Sequence, residues 1–207
     1  MIRFIGITGG VGAGKSEILR HLEKHYNCMV MLTDKIAHHL MEPGTACYNQ
    51  LEEVFADDRV YEPDGRFDRL ALAKVLFEHR EKRRQLNGIV HPAVKQYVMD
   101  AAAEARENKK LDFVIVESAL LIEEHYDEIC DELWYIFTSE EIRRERLKIS
   151  RGYSDEKVDG IFAAQLTEEE FRRECKVIID NNGTVEESIC QIDRVLSEYG
   201  YRKYGIM

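Results

Sequence analysis

No run of about 18 or more apolar residues occurs in the chain, so nothing in it has the length of a membrane-spanning helix. No signal-peptide pattern is read either, because the first apolar stretch, Ile2 to Ile7, feeds a glycine-rich loop rather than a cleavage site; a cytosolic protein with no membrane partner is expected. Positive charge is scarce. The 29 Lys and Arg stand against 39 Asp and Glu, a net charge of −10, which argues against a nucleic-acid partner held by a broad basic surface. An anionic ligand would have to meet positive charge concentrated locally. The cysteines, Cys28, Cys47, Cys130, Cys175 and Cys190, are odd in number and form no C-x-x-C pair, so they read as free thiols rather than a disulfide frame or a zinc site. Internal repeats and low-complexity segments are absent. A length of 207 residues suits one domain, 1–207, with a full core and inserted pieces.

What the chain does have lies near its start. Gly9-Gly10-Val11-Gly12-Ala13-Gly14-Lys15-Ser16 fills the pattern G-x-x-x-x-G-K-[S/T] at every position. The apolar stretch before it reads as a short buried strand, and Ile18, Leu19, Leu22 and Tyr26 after it recur at helical spacing. Each residue type has a physical reason. Glycines let successive N–H groups turn inward toward an anion, and the helix that follows adds its positive end. Lys15 supplies a mobile charge for β- and γ-phosphates, and the Ser16 hydroxyl is the expected Mg²⁺ ligand. The plainer reading, a Gly-rich turn opening a Rossmann-like helix, does not account for Lys and Ser at these positions with these flanks. A nucleotide switch is disfavoured, since it needs N-K-x-D and the nearest string, Asn108-Lys109-Lys110-Leu111, has Asp112 one place too late.

Along the chain, Cys28 to Thr33 reads as a second strand ending at Asp34, where the ligand crevice of a parallel sheet opens. Asp34 has two readings, a carboxylate that orients and deprotonates an attacking hydroxyl and an N-cap of the segment after it. From about 36 to 110 the pattern is helical. Asp68 is expected to cap a helix whose face is Leu70, Ala73, Leu76 and Phe77, and Pro92 is expected in the first turn of a new helix. His91 is a ligand contact or a packed residue. Phe113 to Val116 reads as a buried strand leading to Glu117, a candidate for holding Mg²⁺ through water. Leu133 to Thr138 reads as a fourth strand, with Thr138 and Glu141 a capping box. The next helix concentrates Arg143, Arg144, Arg146, Lys148 and Arg151, which reads as a lid over a triphosphate or as a solvated face with i,i+4 pairs. Val177 to Ile179 is the last strand, and Asp180-Asn181-Asn182-Gly183 falls at its carboxyl edge, placed to line an adenine pocket. Thr184 and Glu187 form a capping box for the closing helix. The expected fold is α/β: a three-layer α/β/α P-loop core with a parallel sheet of about five strands, the loop strand near its centre.

Several motifs together resemble the dephospho-coenzyme A kinase family: ITGGVGAGKS at 7–16, Asp34, EPGT at 42–45, DGRFDRLALAKVLF at 64–77, VHP at 90–92, LLIE at 120–123 and IIDNNGT at 178–184. The resemblance implies ATP-dependent phosphorylation of the ribose 3′-hydroxyl of dephospho-CoA, with Mg²⁺, an inserted helical CoA-binding subdomain at 36–110 and a lid at 139–175. It raises Asp34 to catalytic base or orienting carboxylate beside Lys15 and Arg146. On this reading ATP lies on Gly10, Val11, Gly12, Ala13, Gly14, Lys15, Ser16 and the Glu17 amide, with Arg151 and Asn182. The acceptor lies against Thr8, Asp34, His91 and Glu117. Partners are these small molecules alone, in a monomer or small homo-oligomer. The alternative within enzymes is another P-loop nucleoside or nucleotide kinase. Departures from the family pattern are Glu17 for the usual Thr, Ala119 for Pro, and Ser150-Arg151 for Arg-Asp, which leaves Arg146 the first candidate for the ATP-contacting lid arginine and Arg151 the second.

Overall fold

In the computed structural model, residues 2–204 are described. The strands are β1 (Arg3–Thr8), β2 (Cys28–Leu32), β3 (Phe113–Glu117), β4 (Glu132–Phe137) and β5 (Val177–Asp180), in one sheet of order β2-β3-β1-β4-β5. The loop strand is central, as expected. Its pairings with β3 and β4, and that of β4 with β5, are parallel. These strands are short, apolar and largely buried, with Phe4, Ile5 and Ile7 of β1 and Val114, Ile115 and Val116 of β3 each 2% exposed or less. Such runs suit a sheet covered on both faces.

The connections explain where a ligand fits. From β1 the chain passes to β2 on one side, whereas from β3 it passes across β1 to β4 on the other. The direction reverses between β1 and β3, and the crevice at such a switch point, outside the carboxyl ends of the strands, is where open α/β sheets bind ligands.

The chain divides into two compact units, Met1–Met31 with Ala102–Met207, and Leu32–Ala101. The first contains α1 (Lys15–His25), α6 (Glu140–Arg151), α7 (Asp155–Ala163), α8 (Glu168–Glu174) and α9 (Val185–Glu198). There α9 packs against α1, with Asp193 accepting hydrogen bonds from His21 (3.0 Å) and Tyr26 (2.8 Å). The capping box expected at α9 is present, Thr184 and Glu187 each bonding the other's backbone N–H.

The second unit contains α2 (Thr33–Leu40), α3 (Ala46–Val54) and α4 (Arg69–Glu78), and α5 (Arg80–Asn108) begins in it. Asp68 caps α4 as expected, accepting from Leu70 and Ala71 N–H. Three expectations need correction. Pro92 does not open a helix; it lies inside the 29-residue α5. Leu86, Val90, Val94, Val98, Ala102 and Ala105 form one buried stripe through it, and burying that stripe outweighs the roughly 3 kcal/mol an interior proline costs. On α4 the expected face is wrong: Leu70 and Phe77 are 85% and 86% exposed, and Leu72 is the buried residue. Apolar residues surround that helix on every side, so periodicity could not choose a face. Thr138 is not a cap; Ser139 caps α6, accepting from Ile142 N–H. Among the described residues no helix is long and apolar enough to cross a membrane.

Candidate active site

The phosphate loop leaves β1 at Thr8 and closes into α1 at Gly14. Gly12 and Gly14 both have φ of +86°, a left-handed conformation that costs glycine nothing and strains any residue with a Cβ. Gly14 is also the N-cap of α1, and no side chain caps that end. The first amides of α1 therefore face outward beside Lys15 and Ser16, with the helix's positive pole behind them.

Lys15 marks the crevice at the switch point. Its Nζ donates to the Gly9 carbonyl at 2.7 Å and lies 3.5 Å from Glu117 Oε1. Strand register sets this up, since Ile7 of β1 sits beside Glu117 of β3. Thr8 ends β1 fully buried, and its Oγ1 has no hydrogen-bond partner among the described residues. Ser16 is in the first turn of α1, as is Glu17, whose side chain turns to an ion pair with Arg20.

From the other side the loop is held by β4, α6 and the turn after β5. Asn181 Nδ2 donates to the Ala13 carbonyl at 2.6 Å, and Thr138 Oγ1 lies 3.1 Å from the same oxygen and 3.2 Å from the Asn181 carbonyl. Asn181 is itself fixed by Ser188, whose hydroxyl donates to Asn181 Oδ1 at 2.6 Å. Arg146 Nη2 donates to the Asn181 carbonyl at 2.9 Å, and a Cβ on Gly14 would lie 3.4 Å from Arg146 Nη1. Arg146 is thus at the loop. Arg151 is not: it is exposed at the end of α6, with its guanidinium 5.9 Å from the Tyr153 ring. Asn182 turns away from the loop, its Oδ1 accepting from Ser139 N–H at 2.8 Å and its Nδ2 donating to Asp180.

Arg143 and Gln165 were not singled out from the sequence as site residues, yet both touch the loop. Arg143 Nε donates to the Val11 carbonyl at 3.0 Å, and Val11 N–H donates to Gln165 Oε1 at 3.3 Å. Nothing local separates Arg143 from its basic neighbours. Arg144 pairs with Asp155 and Asp159, and Lys148 with Asp155, so part of this cluster is the solvated face that was the plainer reading.

Asp34 and His91 belong to the second unit. Asp34 is in the first turn of α2, just past the carboxyl end of β2, and the N-cap of that helix is Leu32 without a side-chain bond. The capping reading of Asp34 is therefore removed. His91 lies within α5, next to Pro92.

Hard oxygen donors stand beside Lys15: the hydroxyl of the adjacent Ser16 and the Glu117 carboxylate. No group of three or more His, Cys, Asp or Glu among the described residues makes a ready metal cage. This donor set fits magnesium, which is held through one or two protein oxygens together with water and phosphate.

A phosphate loop on the middle strand of a parallel sheet, its lysine set at the switch point, defines a P-loop nucleotide-binding protein of the kinase type. Residues 3–187 match the dephospho-CoA kinase family. The dephospho-CoA kinase of Thermobifida fusca is 34% identical over 201 residues, covering 97% of this chain and 98% of that one. Among solved structures, TT1252 from Thermus thermophilus superposes with a TM-score of 0.78 at 28% identity, covering 95% of this chain and 97% of that one. Dephospho-CoA kinase from Campylobacter jejuni superposes with a TM-score of 0.72 at 20% identity, covering 96% and 98%, a likeness of fold. The chain belongs to the dephospho-CoA kinase family.

Proposed function

We propose that the protein transfers the γ-phosphoryl group of ATP to the ribose 3′-hydroxyl of dephospho-CoA, giving coenzyme A. The observation that carries this reading is the phosphate loop with Lys15 beside Glu117 at the switch point, in a chain whose family match runs nearly end to end.

The loop amides and the Lys15 ammonium hold the β- and γ-phosphates, apart from the amides of Val11, Ala13 and Glu17, which donate to Gln165, Gly10 and Gly14 and shape the loop instead. Ser16 through its hydroxyl, and Glu117 through water, would hold Mg²⁺, which would supply positive charge against the phosphates. Asp34 orients the 3′-hydroxyl in line and accepts its proton. Arg146 rather than Arg151 stabilises negative charge spreading over the transferred group, since Arg146 is the one of the two that reaches the loop. His91 contacts the acceptor, and on the nucleotide side Asn181 holds the loop through the Ala13 carbonyl while Asn182 steadies the start of α6 through Ser139 N–H. Residues 36–110 serve as the CoA-binding insertion and 139–175 as the lid. None of the five cysteines is in a disulfide among the described residues, which suits the reducing cytoplasm, where we place the protein as a monomer or small homo-oligomer.

The test is an ADP-release assay with Mg·ATP, comparing dephospho-CoA with adenosine, AMP, CMP and no acceptor. Turnover with dephospho-CoA alone, the product phosphorylated on the ribose 3′-hydroxyl, is expected. Turnover with a nucleoside or nucleotide instead would assign another small-molecule kinase, and nucleotide binding without acceptor-dependent turnover would assign a switch.

A further inference from the structure

Arg143 is a buried cation with no ion-pair partner, and Glu140, one turn earlier on α6, offsets only part of the cost of its burial. It is 6% exposed, and no carboxylate among the described residues lies within salt-bridge distance of it. Its bonds go to neutral groups. Nε donates to the Val11 carbonyl at 3.0 Å and Nη2 to Gln165 Oε1 at 2.7 Å, and the same Oε1 accepts the Val11 N–H at 3.3 Å. Two donors converge on that atom, so it is the amide oxygen. The guanidinium also lies 4.2 Å from the Phe162 ring centroid, and a Cβ on Gly10 would come within 2.4 Å of its Cζ. Gly10 is therefore required by the guanidinium packed on it as well as by any phosphate.

We propose that Arg143 and Gln165 are positioning residues for the nucleotide. Together they lock both backbone polar groups of Val11, and the charge of Arg143 beside the loop, which has no ion pair in the protein, is balanced by the bound triphosphate. This rests on the reading of the loop as the ATP site.

A closed ring of three hydrogen bonds fixes the peptide units on either side of Val11, and with them the path of the loop whose amides face the anion. The charge follows from energetics. A buried cation with no ion-pair partner is costly, and burial pushes the Arg143 pKa down, because it disfavours the charged form and outweighs the attraction of Tyr135 and Glu140. A polyanion arriving a few ångströms away relieves that cost, and the low local dielectric makes the attraction strong. Folding alone would be served as well by a neutral side chain here. Arg144, on the same helix, has the arrangement typical of a solvated charge, with two aspartates beside it.

Stability and affinity should therefore move in opposite directions when the charge is neutralised in place. Gln165→Glu keeps an acceptor for both donors and sets a carboxylate against Arg143. The melting temperature without nucleotide should equal or exceed that of the parent protein, while the Kd for Mg·ATP by calorimetry should rise about tenfold or more. Arg143→Lys retains the charge and Arg143→Gln does not, so the lysine variant should bind Mg·ATP about ten times more tightly than the glutamine variant. Parental affinity in Gln165→Glu, or a fall in stability parallel to a fall in affinity, would overturn the proposal. If Gln165→Glu does not fold, equal weakening in the two Arg143 variants overturns it and the expected gap upholds it. Failure of the parent protein to bind Mg·ATP would instead remove the reading of the loop as an ATP site.

Discussion

Two buried charges flank β4, and they are treated differently. At the amino end Glu132, with a side chain fully buried, accepts from Trp134 Nε1 and Tyr199 Oη at 3.0 Å each and pairs with Arg3 at 3.3 Å and Lys176 at 3.0 Å. Burial alone would raise its pKa, but the hydrogen bonds from Trp134, Lys176 and Tyr199 and the lysine charge outweigh that and hold the carboxyl below its usual range. Past the carboxyl end, Arg143 has hydrogen bonds and no ion pair, with Glu140 offsetting only part of its burial. A charge neutralised by its own chain holds the fold; a charge left for a ligand serves the site. The sheet places them apart, because in a parallel sheet all ligand chemistry gathers at the carboxyl ends.

If that division holds, substitutions at the two ends should fail differently. Lys15→Ala should lower turnover by about 10³-fold or more, since a charge-assisted contact to the transferred phosphoryl group is lost, while thermal unfolding stays near the parent; loss of folding instead would mean that Lys15 serves the structure. Asp34→Asn should lower kcat by about 10²- to 10⁴-fold with the Kd for ATP changed only a few-fold. Equal loss of both would end its role as base.

At the other end, Glu132→Gln should cost about 2–3 kcal/mol, the lower side of breaking a buried pair because Arg3 and Lys176 reach solvent, and should leave kcat unchanged. Calorimetric unfolding beside a turnover assay reads both. The pH dependence gives the same contrast. A carboxyl whose folded pKa lies below its unfolded value contributes stability above the unfolded pKa and loses it as pH falls through the folded one. Unfolding temperature should thus drop on acidification below the ordinary glutamate range, and the drop should be shallower in Glu132→Gln. Asp193 adds to the slope: burial would raise its pKa, but bonds from Lys203, Tyr26 and His21 lower it. Smallest of all, Thr184→Ala should cost about 1 kcal/mol by removing the cap of α9 and leave turnover untouched.

Much of this was legible in the residues, because the signals are local. The loop motif, its flanking strand and helix, Asp68 as a cap and the Thr184–Glu187 box each need only neighbours in sequence. The misses needed distant ones. Asn181 rather than Asn182 reaches the loop because Asn182 is drawn to Ser139 N–H by a bond across 43 positions. Thr138 faces the Ala13 carbonyl, 125 residues away, instead of capping its own helix. Pro92 stays inside α5 because a buried stripe on both sides of it overrides a local preference.

The sequence by itself determined that the protein binds a phosphate on a P-loop, that its core is a parallel α/β sheet, and which family it belongs to, since backbone conformation, helix polarity and motif spacing are properties of contiguous residues. Only the tertiary structure decided which cation of the basic helix is buried on the loop, which asparagine holds the Ala13 carbonyl, and which charges the protein neutralises itself. Those depend on burial and on partners more than a hundred residues away, and the energy of a charge is set by its surroundings rather than by its place in the chain.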